Sequence, residues 1–171
     1  PALVKPATVT SYLTECMVKE IIESKLLPEG ALQLICGSAR GILDHVNYQD
    51  VVTFTGSAKT GRMLKSHPNI LNHSVPFNME ADSLNCSLLG PEASPQTEEF
   101  SIFIKEVAKE ITVKAGQKCT AIRRTIIPEQ YTEEVMKALT ERLKKTVVGE
   151  PNTEGVRMGP LASLAQKEEV L

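Results

Sequence analysis

No apolar run in this 171-residue sequence reaches the ~18 residues needed to span a bilayer, which argues against a membrane-spanning helix. No CxxC pair occurs among the four cysteines Cys16, Cys36, Cys86 and Cys119. The three histidines, His45, His67 and His73, stand at no metal-ligand spacing from them, so no metal site is expected. Basic residues are not concentrated: RR at 123–124 and KK at 144–145 are too short to make a patch, and the formal net charge is −2. Neither a nucleic acid nor an anionic membrane is therefore expected as a partner. The first residues lack a basic segment followed by an apolar stretch, and nothing reads as a disulfide framework. A reducing, cytoplasmic setting is the expectation. No internal repeat or low-complexity tract is visible. The sequence opens on PALVKPA without an initiator Met and stops at AQKEEVL, within what reads as a helix. An internal fragment of a longer protein is expected.

What is there is ordinary globular material, 42% apolar and 23% charged, in an amount that suits one domain or a piece of a larger one. ALVK (2–5), ALQLICG (31–37) and VVTFTG (51–56) read as strands. Between the first two, Val9, Leu13, Cys16, Met17, Ile21 and Ile22 recur at helical spacing, with Thr8 or Thr10 as cap. A short helix is expected over 39–46 and another over 57–65. Strand alternating with helix in this order predicts an α/β fold: a Rossmann-like parallel sheet with covering helices. Further on, 74–80, 85–90 and 120–128 read as strands. Phe100, Phe103, Ile104, Val107 and Ile111 mark one helix, and Tyr131, Val135, Leu139 and Leu143 another. A long loop covers 149–160, and a last helix starts at Ser163. The expected division is a cofactor-binding portion at 1–82 and part of an α/β catalytic domain at 83–171.

Four places offer chemistry. In FTGSAKTG (54–61) a strand ends at Gly56 and Ser57 opens a helix, whose free N–H groups and positive end favour a phosphate. Gly56 allows close approach of a ligand, and Gly61 allows close packing of the helix. A plain Ser-capped helix reads equally from these letters. Lys5, before Pro6, ends the first strand at the carboxyl edge of a parallel sheet, where cofactors bind, or is a solvated surface lysine. Glu80 ends the strand SVPFNME beside the expected boundary and suits a general base, or a cap. Cys119 follows Gly116-Gln117-Lys118 and is either a nucleophile or a small buried hydrophobe. Cys16 and Cys36, on apolar faces, and Cys86, in a strand, read as structural.

Lys-Pro after an apolar strand, then FTGS, then Glu80, then GQKC with its cysteine 39 residues beyond that Glu, resembles the motif order of the aldehyde dehydrogenase superfamily across the whole chain. MEADSLN, VKAGQKCTAIRR and VVTFTGSA are most similar to the dehydrogenase domain of the bifunctional phenylacetic acid degradation proteins. That resemblance implies an oxidoreductase in which Cys119 attacks an aldehyde carbon and Glu80 activates water against the resulting thioester. It implies that Lys5 holds the adenosine ribose hydroxyls or a 2′-phosphate, that Gly37 lines the adenine side, that Gly56 and Ser57 sit by the pyrophosphate, and that Gly61 belongs to the same cofactor-binding set. A free thiol with a pKa of ~8.5 gains from N–H groups or positive charge around it, which raise its thiolate fraction. The family often has Glu-Leu-Gly-Gly at the base, where this chain has Glu80-Ala81-Asp82-Ser83. Many NAD-preferring members carry a Glu three residues after the Lys, where this chain has Thr8. Without that carboxylate a 2′-phosphate is not repelled, so NADP is expected, with NAD also usable. The implied substrate is an aldehyde, in this subgroup the semialdehyde of a CoA thioester from phenylacetate breakdown. The implied parent is a homo-oligomer with a fused hydratase-like domain. The Asn that completes the oxyanion hole and a Glu-x-Phe-Gly-Pro segment lie outside these residues, so the fragment alone is expected to turn over slowly or not at all. The alternatives are a CoA-acylating aldehyde dehydrogenase, which a retained Glu80 disfavours, and a non-catalytic assembly fragment, which a retained Cys119 disfavours.

Overall fold

A computed structural model describes residues 1–170. They divide into two units, the first Pro1–Ala81 and the second from Asp82 onward. The fold is α/β with parallel strands throughout, each pair built on the βαβ plan that parallel pairing requires. Among the described residues the pairing falls into three two-stranded ladders rather than one continuous sheet.

In the first unit β1 (Ala2–Val4) pairs with β2 (Leu32–Leu34) across α1 (Ser11–Glu23). The ladder extends by one bond from Ile35 N to Val4 O at 2.9 Å. β3 (Val52–Gly56) pairs with β4 (Phe77–Ala81) across α2 (Ala58–Lys65) and α3 (Pro68–Asn72). The helix expected over 39–46 is a 3₁₀ turn at Ile42–His45, and α3 was not expected. His67 caps α3 through Nδ1, with Pro68 at its first position, a start signal that a five-residue helix gives too briefly for periodicity to register. Thr10 stands at the start of α1, but its side chain makes no capping bond.

Periodicity also predicted the wrong face for α1. Its buried residue is Val18, with Ser11 and Thr14 half-buried beside it. Leu13 and Met17, from the apolar stripe, are 59% exposed each. The helix turns its small residues inward, and the apolar stripe has no partner among the described residues. Cys16 is exposed for the same reason, and Cys36 and Cys86 are exposed as well, which corrects the reading of all three as buried structural thiols.

In the second unit β5 (Cys86–Leu88) pairs with β6 (Arg124–Ile126) across α4 (Glu98–Thr112), and α5 (Thr132–Leu143) packs on α4. Here the sequence pattern and the packing agree from Phe100 to Val107, while Ile111, a turn further on in the expected stripe, is exposed. Phe100, Phe103, Ile104, Val107 and Ala108 form one buried face of α4 and meet Leu89 and Val135. Thr97 caps α4 by accepting from Phe100 N at 3.3 Å, with Glu98 and Glu99 in the first turn and Lys109 in the last, each suited to the helix dipole. The loop over 149–160 closes on itself through a bridge between Val148 and Met158. α6 (Leu164–Val170) follows. No helix among the described residues is long and apolar enough to cross a membrane.

Candidate active site

The residues singled out from the sequence fall into both units: Lys5, Gly37, Gly56, Ser57, Gly61 and Glu80 in the first, and Cys119 in the second. Within the first unit they share one kind of place. Lys5 follows β1, Gly37 follows β2 by three residues, Gly56 and Ser57 close β3, and Glu80 is next to last in β4. Apart from Gly61, which is inside α2, they are at the carboxyl ends of parallel strands, the edge at which open α/β sheets take their ligands.

Local contacts explain each position. Lys5 Nζ donates to Thr8 Oγ1 at 3.4 Å and is exposed. Gly37 has φ +100°, a conformation open to glycine, with empty space where a Cβ would stand. Ser57 caps α2: its Oγ accepts from Thr60 N at 3.2 Å and donates to Thr60 Oγ1 at 3.0 Å. A Cβ on Gly56 would come within 2.5 Å of Phe54 Cζ, so the room left by this glycine is occupied by the Phe54 ring. Gly61 is buried against Met79 and Phe54, which fixes α2 close to the β3–β4 ladder. Glu80 lies opposite Thr55 in that ladder. It shares the exposed face with Asn78, while Phe77 and Met79 point the other way.

All four thiols are exposed, so exposure alone does not single out Cys119. Its loop does. The chain leaves α4 through Lys114 and Ala115, both at φ 53°, and Gly116 at φ 71°, a run of three left-handed residues of which only one is glycine. Such backbone is strained and must be held from outside. Gln117 Nε2 donates to Lys114 O at 3.0 Å, and the Arg123 guanidinium donates to Gly116 O at 3.2 Å and Lys118 O at 3.3 Å. Lys118 pairs with Glu110 at 2.8 Å on the side of α4. Ala162 N donates to Gln117 Oε1 at 3.0 Å. Asn85 donates from its side-chain amide to Cys119 O at 2.6 Å. Among the described residues no acceptor takes the Cys119 N–H. Sequence reasoning missed Asn85, Glu110 and Arg123, because side chains that hold a loop from a distance carry no periodicity. The signal that was available is the placement of Asn85 at the start of the strand expected over 85–90.

The profile of the aldehyde dehydrogenase family matches residues 1–171. The chain is 48% identical over 167 residues to a 3,4-dehydroadipyl-CoA semialdehyde dehydrogenase of Aromatoleum evansii, covering 98% of this chain and 32% of that protein. It is 30% identical over 173 residues to a 2,5-dioxopentanoate dehydrogenase of Saccharolobus solfataricus, covering 96% of this chain and 34% of that protein. The chain thus spans about a third of the length of these relatives. Among solved structures it superposes on apo betaine aldehyde dehydrogenase of Staphylococcus aureus, a mutant form, with a TM-score of 0.84 at 26% identity. That match covers 98% of this chain and 32% of the other. A double mutant of the same enzyme in complex with NAD+ superposes with a TM-score of 0.83 at 25% identity and the same coverage.

Proposed function

The chain belongs to the aldehyde dehydrogenase family, and from that premise we propose that it carries the nucleophile and the base of a nicotinamide-dependent oxidation of an aldehyde to a carboxylic acid. The Cys119 thiolate adds to the aldehyde carbon and forms a C–S bond, and the carbonyl oxygen becomes an oxyanion. The Cys119 N–H, with no acceptor among the described residues, is a donor available to that oxyanion. A nicotinamide held at the strand edge of the first unit would supply the acceptor for the hydride that leaves this carbon. What remains is a thioester on Cys119. Glu80 takes a proton from water, the water oxygen attacks the thioester carbon, and the thiolate leaves. The balance is aldehyde, oxidised cofactor and water giving acid, reduced cofactor and a proton.

The cofactor site fits the residues present in the first unit. The capped N-terminus of α2 offers a positive helix end at the close of β3, and Lys5 supplies a cation at the close of β1. Gly37, Gly56 and Ser57 complete that edge, and Gly61 lets α2 pack close against the β3–β4 ladder. With Thr8 three residues after Lys5, NADP is favoured and NAD remains usable. The observation that carries the substrate assignment is the 48% identity to a CoA-linked semialdehyde dehydrogenase. In this reading the substrate is the semialdehyde of a CoA thioester, and the resemblance to phenylacetic acid degradation proteins suggests a role in phenylacetate breakdown in the cytoplasm. The working protein is a homo-oligomer with a fused hydratase-like domain, and residues 1–82 and 83–171 serve as cofactor-binding and catalytic parts.

Single-turnover kinetics on the full-length protein test this. Cys119→Ala should give no reduced cofactor. Glu80→Gln should give a burst of one reduced cofactor per active site and then stall, because hydride transfer precedes hydrolysis. A Glu80→Gln variant that turns over at the parent rate removes Glu80 from the mechanism. Aldehyde-dependent reduction by Cys119→Ala removes the cysteine.

A further inference from the structure

Asn85 sits immediately ahead of β5, where the β5–β6 ladder ends at the pair Cys86 and Arg124. Its main-chain carbonyl accepts from Arg123 N at 2.8 Å and Arg124 N at 3.1 Å. Its side-chain amide donates to Cys119 O at 2.6 Å and to Ala121 O at 3.1 Å. From these contacts we propose that Asn85 is a positioning residue for the nucleophile. It clasps the carbonyls on either side of Thr120, so that Cys119 presents its thiol and its N–H in one orientation. The inference rests on the reading of Cys119 as the nucleophile.

Three observations separate this role from general structural support. The ladder already fixes the backbone from Cys86 and Arg124 onward, whereas the side-chain amide reaches residues that the ladder does not hold. Arg123, Gln117 and the Lys118–Glu110 pair anchor the part of the loop before Cys119. Among the described residues, Asn85 alone bonds to the main chain of Cys119 itself. Finally, the left-handed entry through Lys114 and Ala115 costs roughly 1–2 kcal/mol per residue, so the loop does not follow this path by local preference.

The chemistry of the clasp calls for an asparagine. Two N–H groups on one short planar amide meet two carbonyls. An aspartate has no donor when ionised and would set its oxygens against both carbonyls, a leucine of similar size has no donor, and a serine keeps one.

The test compares Asn85→Asp, Asn85→Leu and Asn85→Ser in the full-length protein, with Cys119→Ala as reference, by steady-state reduction of NADP+ with aldehyde. Asn85→Asp and Asn85→Leu should lower kcat by about 100-fold, the scale of a misplacement of ~1 Å, with KM for NADP+ unchanged. Asn85→Ser should recover to within about tenfold of the parent, since one donor remains. Two results overturn the proposal: kcat within about threefold of the parent in the Asp and Leu variants, or kcat falling in step with melting temperature and cofactor KM in all three. If Asn85→Asp does not fold, the Leu and Ser variants decide on the same criteria. Activity in Cys119→Ala overturns the nucleophile reading and this inference with it. A silent Cys119→Ala beside a fully active Asn85→Leu overturns this inference alone.

Discussion

A methyl group at Gly61 would run into Met79, and it would stand 3.2 Å from Cδ1 of Phe54. Alanine in a helix interior gains about 1 kcal/mol over glycine, while overpacking a filled site costs about 1–3 kcal/mol. Packing wins, and Gly61→Ala should lose about 1 kcal/mol in urea denaturation. Because the obstacle is the end of a flexible side chain, Met79→Ala should relieve most of that loss. The double variant should therefore lie well above the sum of the single losses, since the two positions touch. Gly61 also shows what single letters convey. A glycine inside a helix announces close packing, and Phe54 and Met79 supply it. Gly56 announced an approaching ligand, yet the Phe54 ring already takes the space beside it. A glycine's smallness is visible in sequence; what uses the space is not.

Among the elements, α4 and α1 mark the two ends of legibility. The apolar spacing of α4 coincides with the face it buries, so its packing was readable from Phe100 to Val107. Phe103 is 6% exposed in that face, and its neighbour Ile102 is 50% exposed. Phe103→Ala should cost about 3–5 kcal/mol, and Ile102→Ala should stay within ~0.5 kcal/mol, as thermal or urea unfolding will measure. Comparable losses at the two positions would show that the face is assigned wrongly. α1 has an equally clear apolar stripe that stays exposed while Ser11, Thr14 and Val18 turn inward. Periodicity reports that a helix has an apolar side, not which neighbour that side meets. Short strands are a further limit: the run expected over 120–128 pairs only at Arg124–Ile126, because pairing needs a partner and β5 has three residues.

Across the whole molecule the core is unevenly shared. Among the described residues, buried apolar residues number three in the first unit (Val18, Ile70, Val75) and eight in the second, Leu89 and Val135 among them. The accessible surface is 12838 Å². Two separate compact bodies of half this mass would together expose about 10,000 Å². Apolar side chains share in that exposure in both units, Leu13 and Met17 in the first and Leu88 and Ile126 in the second. Local stability follows buried contact, so amide exchange should be faster across β1, α1 and β2 than across α4 and α5, by at least about tenfold in protection. Uniform protection across the chain would contradict this division. The motif order from Lys5 to Cys119 made the fold class and the family legible. The anchors of the Cys119 loop lie far away in sequence and answer to geometry alone.

The bond from Asn85 to the main chain of Cys119 joins residues 34 apart. It needs α4 to carry the chain across from β5 to β6, so it belongs with the non-local contacts of the fold and not with its local helices. A thiol is present as soon as the chain is made, whereas the contact that orients the main chain of Cys119 is present only once distant parts of the second unit have met.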